Sequence, residues 1–135
     1  MADFALELQT ELVTLLASDP TLTNLIGSGK IVDAPRRGQR PPFIIIKSHQ
    51  YSPRDAIASS LFDHEIELEF WHARSARQLG FQVAERVVEL FLTHDFGSSF
   101  RAVRQNHRHT KTSIEPRTGW VKTLIGLRIT LEPLS

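Results

Sequence analysis

The sequence predicts an α+β fold: a largely antiparallel mixed β-sheet with two main helices packed on one face and a C-terminal β-hairpin. Three stretches carry that expectation. In His64-Glu65-Ile66-Glu67-Leu68-Glu69-Phe70-Trp71, positions 64, 66, 68 and 70 share one face and the three glutamates the other, the signature of a half-buried strand. Directly after it, Ala76, Leu79, Val83, Val87, Leu90 and Phe91 recur at three- and four-residue spacing, opposite a polar stripe of Gln78, Gln82, Glu85 and Glu89. Near the end, Val121, Thr123, Ile125, Leu127, Ile129 and Leu131 alternate with Trp120, Lys122, Leu124, Gly126, Arg128 and Thr130.

The remaining elements follow in order. Phe4, Leu8, Leu12, Leu15 and Leu16 form one helical stripe, so Asp3–Ala17 reads as an amphipathic helix capped by Asp3 and ended by Asp19-Pro20. Thr21–Ile26 has room for a further turn, which Gly27 closes. Lys30–Asp33 is a short strand. Ala34–Pro42, with Pro35, Pro41, Pro42, Gly38, Arg36, Arg37 and Arg40, reads as an exposed basic loop, because proline suits neither a helix interior nor a central strand. Phe43–Lys47 is apolar on both faces and fits a strand inside the sheet or against a partner. Ser48–Leu61 lacks a clear period and reads as a mobile loop. Ser75 and Gln78 have the form of a capping box for the following helix. Thr93–Ser99 is a turn. Phe100–Glu115 alternates weakly, and with the turn at Pro116–Gly119 and the last strand it makes a long hairpin.

The 135 residues (15.3 kDa) are expected to form one domain, 1–135. A net charge of +1 gives no global steer toward nucleic acid, so such a role rests on local patches. With no cysteine, thiolate chemistry and disulfides are excluded. No basic and apolar leader pattern opens the chain and no apolar run reaches bilayer length, so residence in the cytoplasm and no membrane contact are the expectations.

The residues give little support to an enzyme. Six histidines invite a metal reading, and His107-x-His109 puts two imidazoles on one face of a strand, but no further ligands stand at a recognisable spacing. Glu65, Glu67 and Glu69 are spaced about 7 Å apart along a strand, as in a solvated stripe rather than a converging acid/base site. Like charges in a row call for a basic row beside them, which Lys122 and Arg128, or Arg104 and Arg108, can supply within a chain or between subunits. Gly27-Ser28-Gly29-Lys30 lacks the spacing and the hydroxyl of a phosphate loop. No catalytic residue, metal or cofactor is therefore expected. Arg101–Lys111 carries enough charge for a small DNA-binding module, the alternative function, but no aromatic residue interleaves it for base stacking. Gly80 and Ala84 make a smooth helix patch, suited to helix-on-sheet packing or to another backbone.

The order of these features resembles the tail-terminator (tail-completion) family of long, non-contractile-tailed phages, prophages and gene transfer agents. The resemblance is carried by Asp19–Gly27 after a helix, Ile31–Pro35, Pro42–Ile46, His64–Trp71 and Leu127–Glu132. It implies a non-enzymatic virion protein: a homohexameric ring at the head-proximal end of the tail, assembled in the host bacterial cytoplasm. Its implied partners are further copies of itself, the tail tube protein, the head-tail connector or stopper protein, and double-stranded DNA passing through the lumen without specific binding. In that setting Glu65, Glu67, Glu69, Lys122 and Arg128 are candidates for the subunit interface or lumen. Arg36, Arg37, Arg40, Arg54, Arg104 and Arg108 are candidates for loops contacting tube or connector. Phe100–Pro116 departs from the family pattern in being more basic.

Overall fold

A computed structural model describes residues 4–32, 37–54, 61–73, 77–97 and 99–134. Its elements are α1 (Ala5–Ala17), α2 (Pro20–Ile26), β1 (Ile31–Val32), β2 (Phe43–Pro53), β3 (Phe62–His72), α3 (Arg77–Thr93), β4 (Phe100–Ile114) and β5 (Val121–Pro133). The strands form one five-stranded sheet in the order β1-β2-β3-β5-β4. Among the described residues only the β1–β2 contact is parallel, through Ile31 opposite Ile44 and Val32 opposite Ile45. All other pairs are antiparallel, and β4–β5 is the C-terminal hairpin. The α+β architecture therefore matches the expectation.

The alternation in β3 and β5 divides the sheet into two unlike faces. Ile66, Leu68 and Phe70 of β3 and Ile125, Leu127, Ile129 and Leu131 of β5 are buried against the helices. There they meet Leu8, Leu12 and Leu16 of α1, Leu22 and Ile26 of α2, and Val83, Val87 and Phe91 of α3 in one core. Each such side chain contributes about 1.5–3 kcal/mol by leaving water, so this layer dominates the stability of the fold. The other face bears the charges.

Local chemistry fixes the element ends. Asp19 is the N-cap of α2: its carboxylate accepts from Leu22 N at 3.0 Å, and Pro20 occupies the first helical turn, where no N–H is needed. The same carboxylate takes Arg86 Nε at 2.9 Å and Nη2 at 2.7 Å, clamping α2 onto α3. Gly27 ends α2 at φ 98°, a conformation open to glycine. At the far end of α3, Gln105 of β4 donates to the carbonyls of Phe91 at 2.6 Å and His94 at 2.9 Å, satisfying acceptors that the helix leaves open.

Several details differ from the sequence reading. Asp3 and the Ser75 capping position lie outside the described residues. The N-cap of α1 is Phe4, left-handed at φ 68° and without a side-chain cap bond. Its ring is buried, with its centroid 5.3 Å from that of Phe100, a contact that offsets the unfavourable backbone. Ser48–Pro53, expected in a loop, continues β2, while 55–60 lie outside the described residues. The period was hidden for two reasons. A bulge at Lys47 breaks the alternation, and the inward side chains beyond it are His49 and Tyr51, which pack on His64 with ring centroids 5.0 and 5.2 Å away. Phe43–Ile45 does lie inside the sheet, between β1 and β3, but among the described residues β2 has no strand beyond it from Ile46 onward.

The smooth patch at Gly80 and Ala84 faces the sheet. A Cβ on Gly80 would stand 2.6 Å from both His72 Nε2 and Thr123 Oγ1, which are themselves 3.0 Å apart and buried. Ordinary helix-on-sheet packing thus accounts for both small residues.

Candidate assembly surfaces

The charged face of the sheet is built from the outward positions of β2, β3, β5 and β4. Along β3 these are Asp63, Glu65, Glu67, Glu69 and Trp71, and each carboxylate meets partners from the strands beside it. Asp63 accepts from Thr130 Oγ1 and from Arg128 at 3.0 Å, with Arg54 at 3.9 Å. Glu65 accepts from Gln50 at 2.8 Å and from Arg108 at 3.3 Å. Glu67 accepts from Ser48 at 3.0 Å and has His109 Nε2 at 3.7 Å. Glu69, the most buried of the three glutamates, has Lys122 at 3.5 Å, Lys47 at 4.0 Å and the Trp71 indole N–H at 3.3 Å.

The basic row foreseen beside the glutamates therefore exists within one chain, though with a shifted assignment. Arg128 stands opposite Glu65 in the ladder but reaches Asp63, and Glu65 is met by Arg108 from two strands away. Those crossings need room on β5. At Glu67 the room is Gly126, its ladder partner: a Cβ there would lie 2.5 Å from the His109 ring, so the imidazole passes over a bare backbone to reach the carboxylate.

Burial raises the Asp63 carboxyl, but the Thr130 and Arg128 hydrogen bonds and the Arg128 and Arg54 charges outweigh it and leave the pKa lowered. Asp19 is likewise lowered, chiefly by its hydrogen bonds with Arg86, against the opposing effect of burial. In the hairpin turn, Glu115 is held low by the Thr118 hydroxyl, then by the amides of Thr118 and Arg117.

His107 and His109 do not converge. A bulge between His107 and His109 sets them opposite Leu127 and Gly126, on different faces, so the expected shared face is lost. The extra residue in the strand reverses the side-chain alternation, a step that one sequence does not reveal. His49 Nε2 lies 2.8 Å from His64 Nδ1, and His49 Nδ1 lies 2.9 Å from the Gln9 side-chain amide, a link from α1 to the sheet. Among the described residues no group of three or more His, Asp or Glu is arranged to hold a metal ion.

The arginines expected in contact loops are dispersed. Arg36 lies outside the described residues, and Arg37 and Arg40 are exposed between β1 and β2. Arg54 follows β2, with its amide bonded to Leu61 O at 2.8 Å. Arg104 and Arg108 are on strand β4 rather than in a loop, because Phe100–Ile114 runs along β5, with Arg108 in the bulge between His107 and His109. Arg101 is paired with Glu132 and Arg108 with Glu65, whereas Arg104 and Lys111 are in no ion pair among the described residues.

Two grooves flank the sheet. One, of about 480 Å³, runs between α1 and β2 and includes Leu6, Thr10, Val13 and Ile46. The other, of about 350 Å³, runs between α3 and β4 and includes Phe81, Ala84, Val88 and His107. Both clefts lie on the helix side of a sheet edge, and among the described residues neither gathers a nucleophile, base and orienting group.

No curated protein sequence matches the chain. Among solved structures, a chain from a structure described as the virion of a native gene transfer agent (GTA) particle shares the fold at a TM-score of 0.80 and 16% identity, over 93% of this chain and 94% of that one. The family model described as tail completion protein gp17 matches residues 10–132, and on that match this chain belongs to the tail completion protein gp17 family.

Proposed function

We infer that this protein is a structural component of a phage-type particle: a single-domain tail terminator whose copies form a homohexameric ring at the head-proximal end of the tail. The family match over residues 10–132 carries this reading. One ring face would match the last ring of the tail tube protein and block further addition, and the other would seat the head-tail connector or stopper protein. The work is geometric and non-enzymatic. Assembly takes place in the host cytoplasm, and the finished ring belongs to the virion.

The charged sheet face suits a wall past which double-stranded DNA slides. Asp63, Glu65, Glu67 and Glu69 are interleaved with Arg54, Arg108, Lys122 and Arg128, so phosphates meet neither a continuous basic track nor a bare acidic one. Arg37, Arg40 and Arg54 are the cations placed to touch tube or connector. The DNA-binding alternative draws on β4, but Arg101 and Arg108 are already paired, which leaves Arg104 and Lys111 as the cations of that strand in no ion pair among the described residues.

Deletion of the gene from a producing strain tests the reading. Particles lacking the protein are expected to show unjoined heads and tails of irregular length by electron microscopy, with complementation restoring the junction. Normal, joined particles without this polypeptide would refute it.

A further inference from the structure

The sheet has two unlike edges, and each is backed by exposed apolar surface of the helix layer. On one side, β2 carries β1 only at Ile44 and Ile45, so from Ile46 to Pro53 its outer backbone faces no described strand. Above that edge stands α1 with Leu6 78% exposed. On the other side, β4 has β5 along one flank and no described strand along the other. Above that edge stands α3 with Phe81 52% exposed, and Val103 on β4 is 50% exposed. Large apolar side chains this exposed beside a strand edge with no described neighbour are what a contact surface presents.

We propose that the β4 edge of one copy adds to the Ile46–Pro53 edge of β2 in the next, with Leu6 of the second copy entering the Phe81–Val88 groove of the first. This rests on the ring reading above and names the surfaces that would build the ring. Three observations favour a second copy as the occupant.

The first is polarity. β2 is antiparallel to β3, β3 to β5 and β5 to β4, so β2 and β4 run in opposite directions. A copy placed beside the first in the same orientation brings β4 antiparallel to β2, with core faces and charged faces aligned. The contact is head-to-tail, as a closed ring requires.

The second is layer matching. The groove between α1 and β2 and the groove between α3 and β4 lie on the helix side of the two edges, so joining the strands brings the grooves together.

The third is charge. Within the chain, Arg108 reaches Glu65 from two strands away at 3.3 Å. An added β4 would lie two strands from the same acidic row on its other side, across the short uncharged Ser48, Gln50 and Ser52. Arg104 and Lys111, outside any ion pair among the described residues, are the cations that such a row would receive.

The absence of cysteine makes a direct test available. Gln50→Cys on β2 and Asn106→Cys on β4 are exposed, outward positions. In assembled tails, the double variant treated with a short bismaleimide is expected to give a ladder extending beyond the dimer. Each single variant is expected to give none, and an equal mixture of the two to stop at the dimer. Dimers formed by Gln50→Cys alone, or intact joined particles whose double variant gives no ladder, would overturn the edge assignment while leaving the tail-completion reading in place. Absence of the protein from particles would overturn that reading instead; the double variant is then cross-linked as concentrated purified protein, and a missing ladder there refutes the edge contact too. Adding Leu6→Asp or Phe81→Asp to the double variant should abolish the ladder with the circular dichroism unchanged. A ladder that survives both changes excludes the helix-layer contact.

Discussion

At the residue scale, two glycines that look alike in sequence have different consequences. Gly80 faces a buried pair, so Gly80→Ala forces His72 or Thr123 aside and should cost about 2 kcal/mol in urea unfolding. Gly126 faces the end of a half-exposed imidazole that can swing away, so Gly126→Ala should cost well under ~1 kcal/mol and mainly loosen His109 from Glu67. Asp19 gives a second contrast. Asp19→Ala removes a cap worth about 1 kcal/mol together with the Arg86 clamp, whereas Asp19→Asn keeps the cap and loses the charge. The difference in urea midpoint between the two variants therefore separates cap from clamp. Because Asp19 and Asp63 both titrate below their ordinary value of 3.8, the stability they supply is complete above that pH and is lost as pH falls through the lowered folded values. Stability is therefore expected to decline as the pH falls below that ordinary value, and Asp63→Asn should flatten that part of the curve.

At the element scale, β3, α3 and β5 were legible because each has one wet and one dry face, and a regular period survives in such elements. β2 and β4 were harder for a shared reason. Both lie at or near a sheet edge, both contain bulges, and both carry polar side chains toward the helices: His49 and Tyr51 in one, Gln105 and His107 in the other. A single sequence records the residues but not the extra position that reverses them, so the facing of His107 and His109 was out of reach. The site residues divide along the same line. The acidic row of β3 could be placed from alternation alone, while its partners Arg108, His109 and Lys47 depend on bulges and on a missing side chain at Gly126. Gln105 shows how such edge residues still serve the fold. Gln105→Ala should leave the last turn of α3 open, seen as faster amide exchange around His94 with little change at the centre of the helix.

For the whole molecule, one packed face and one charged face give a subunit whose stability and contacts are governed by different residues. The helix layer holds the chain together, so outward substitutions such as Glu67→Lys should leave the fold intact and lower the melting temperature by only a few degrees. Assembly, in contrast, should respond to changes at the rims. In the ring reading, the assembled species has the mass of six 15.3 kDa chains, which light scattering on material released from tails would check. Arg104→Glu together with Lys111→Glu should reduce that species without unfolding the chain, because neither side chain is in an ion pair of its own subunit among the described residues. A melting curve recorded beside the scattering measurement would detect unfolding.

The two-residue strand β1 carries a consequence out of proportion to its length. It pairs with Ile44 and Ile45, so in the edge-to-edge arrangement proposed above an arriving strand would meet its first position without a described partner at Ile46. If the copies join in that way, a covered start of the edge would favour one seating over a sliding set of them, and the diameter of what they build would follow from that register.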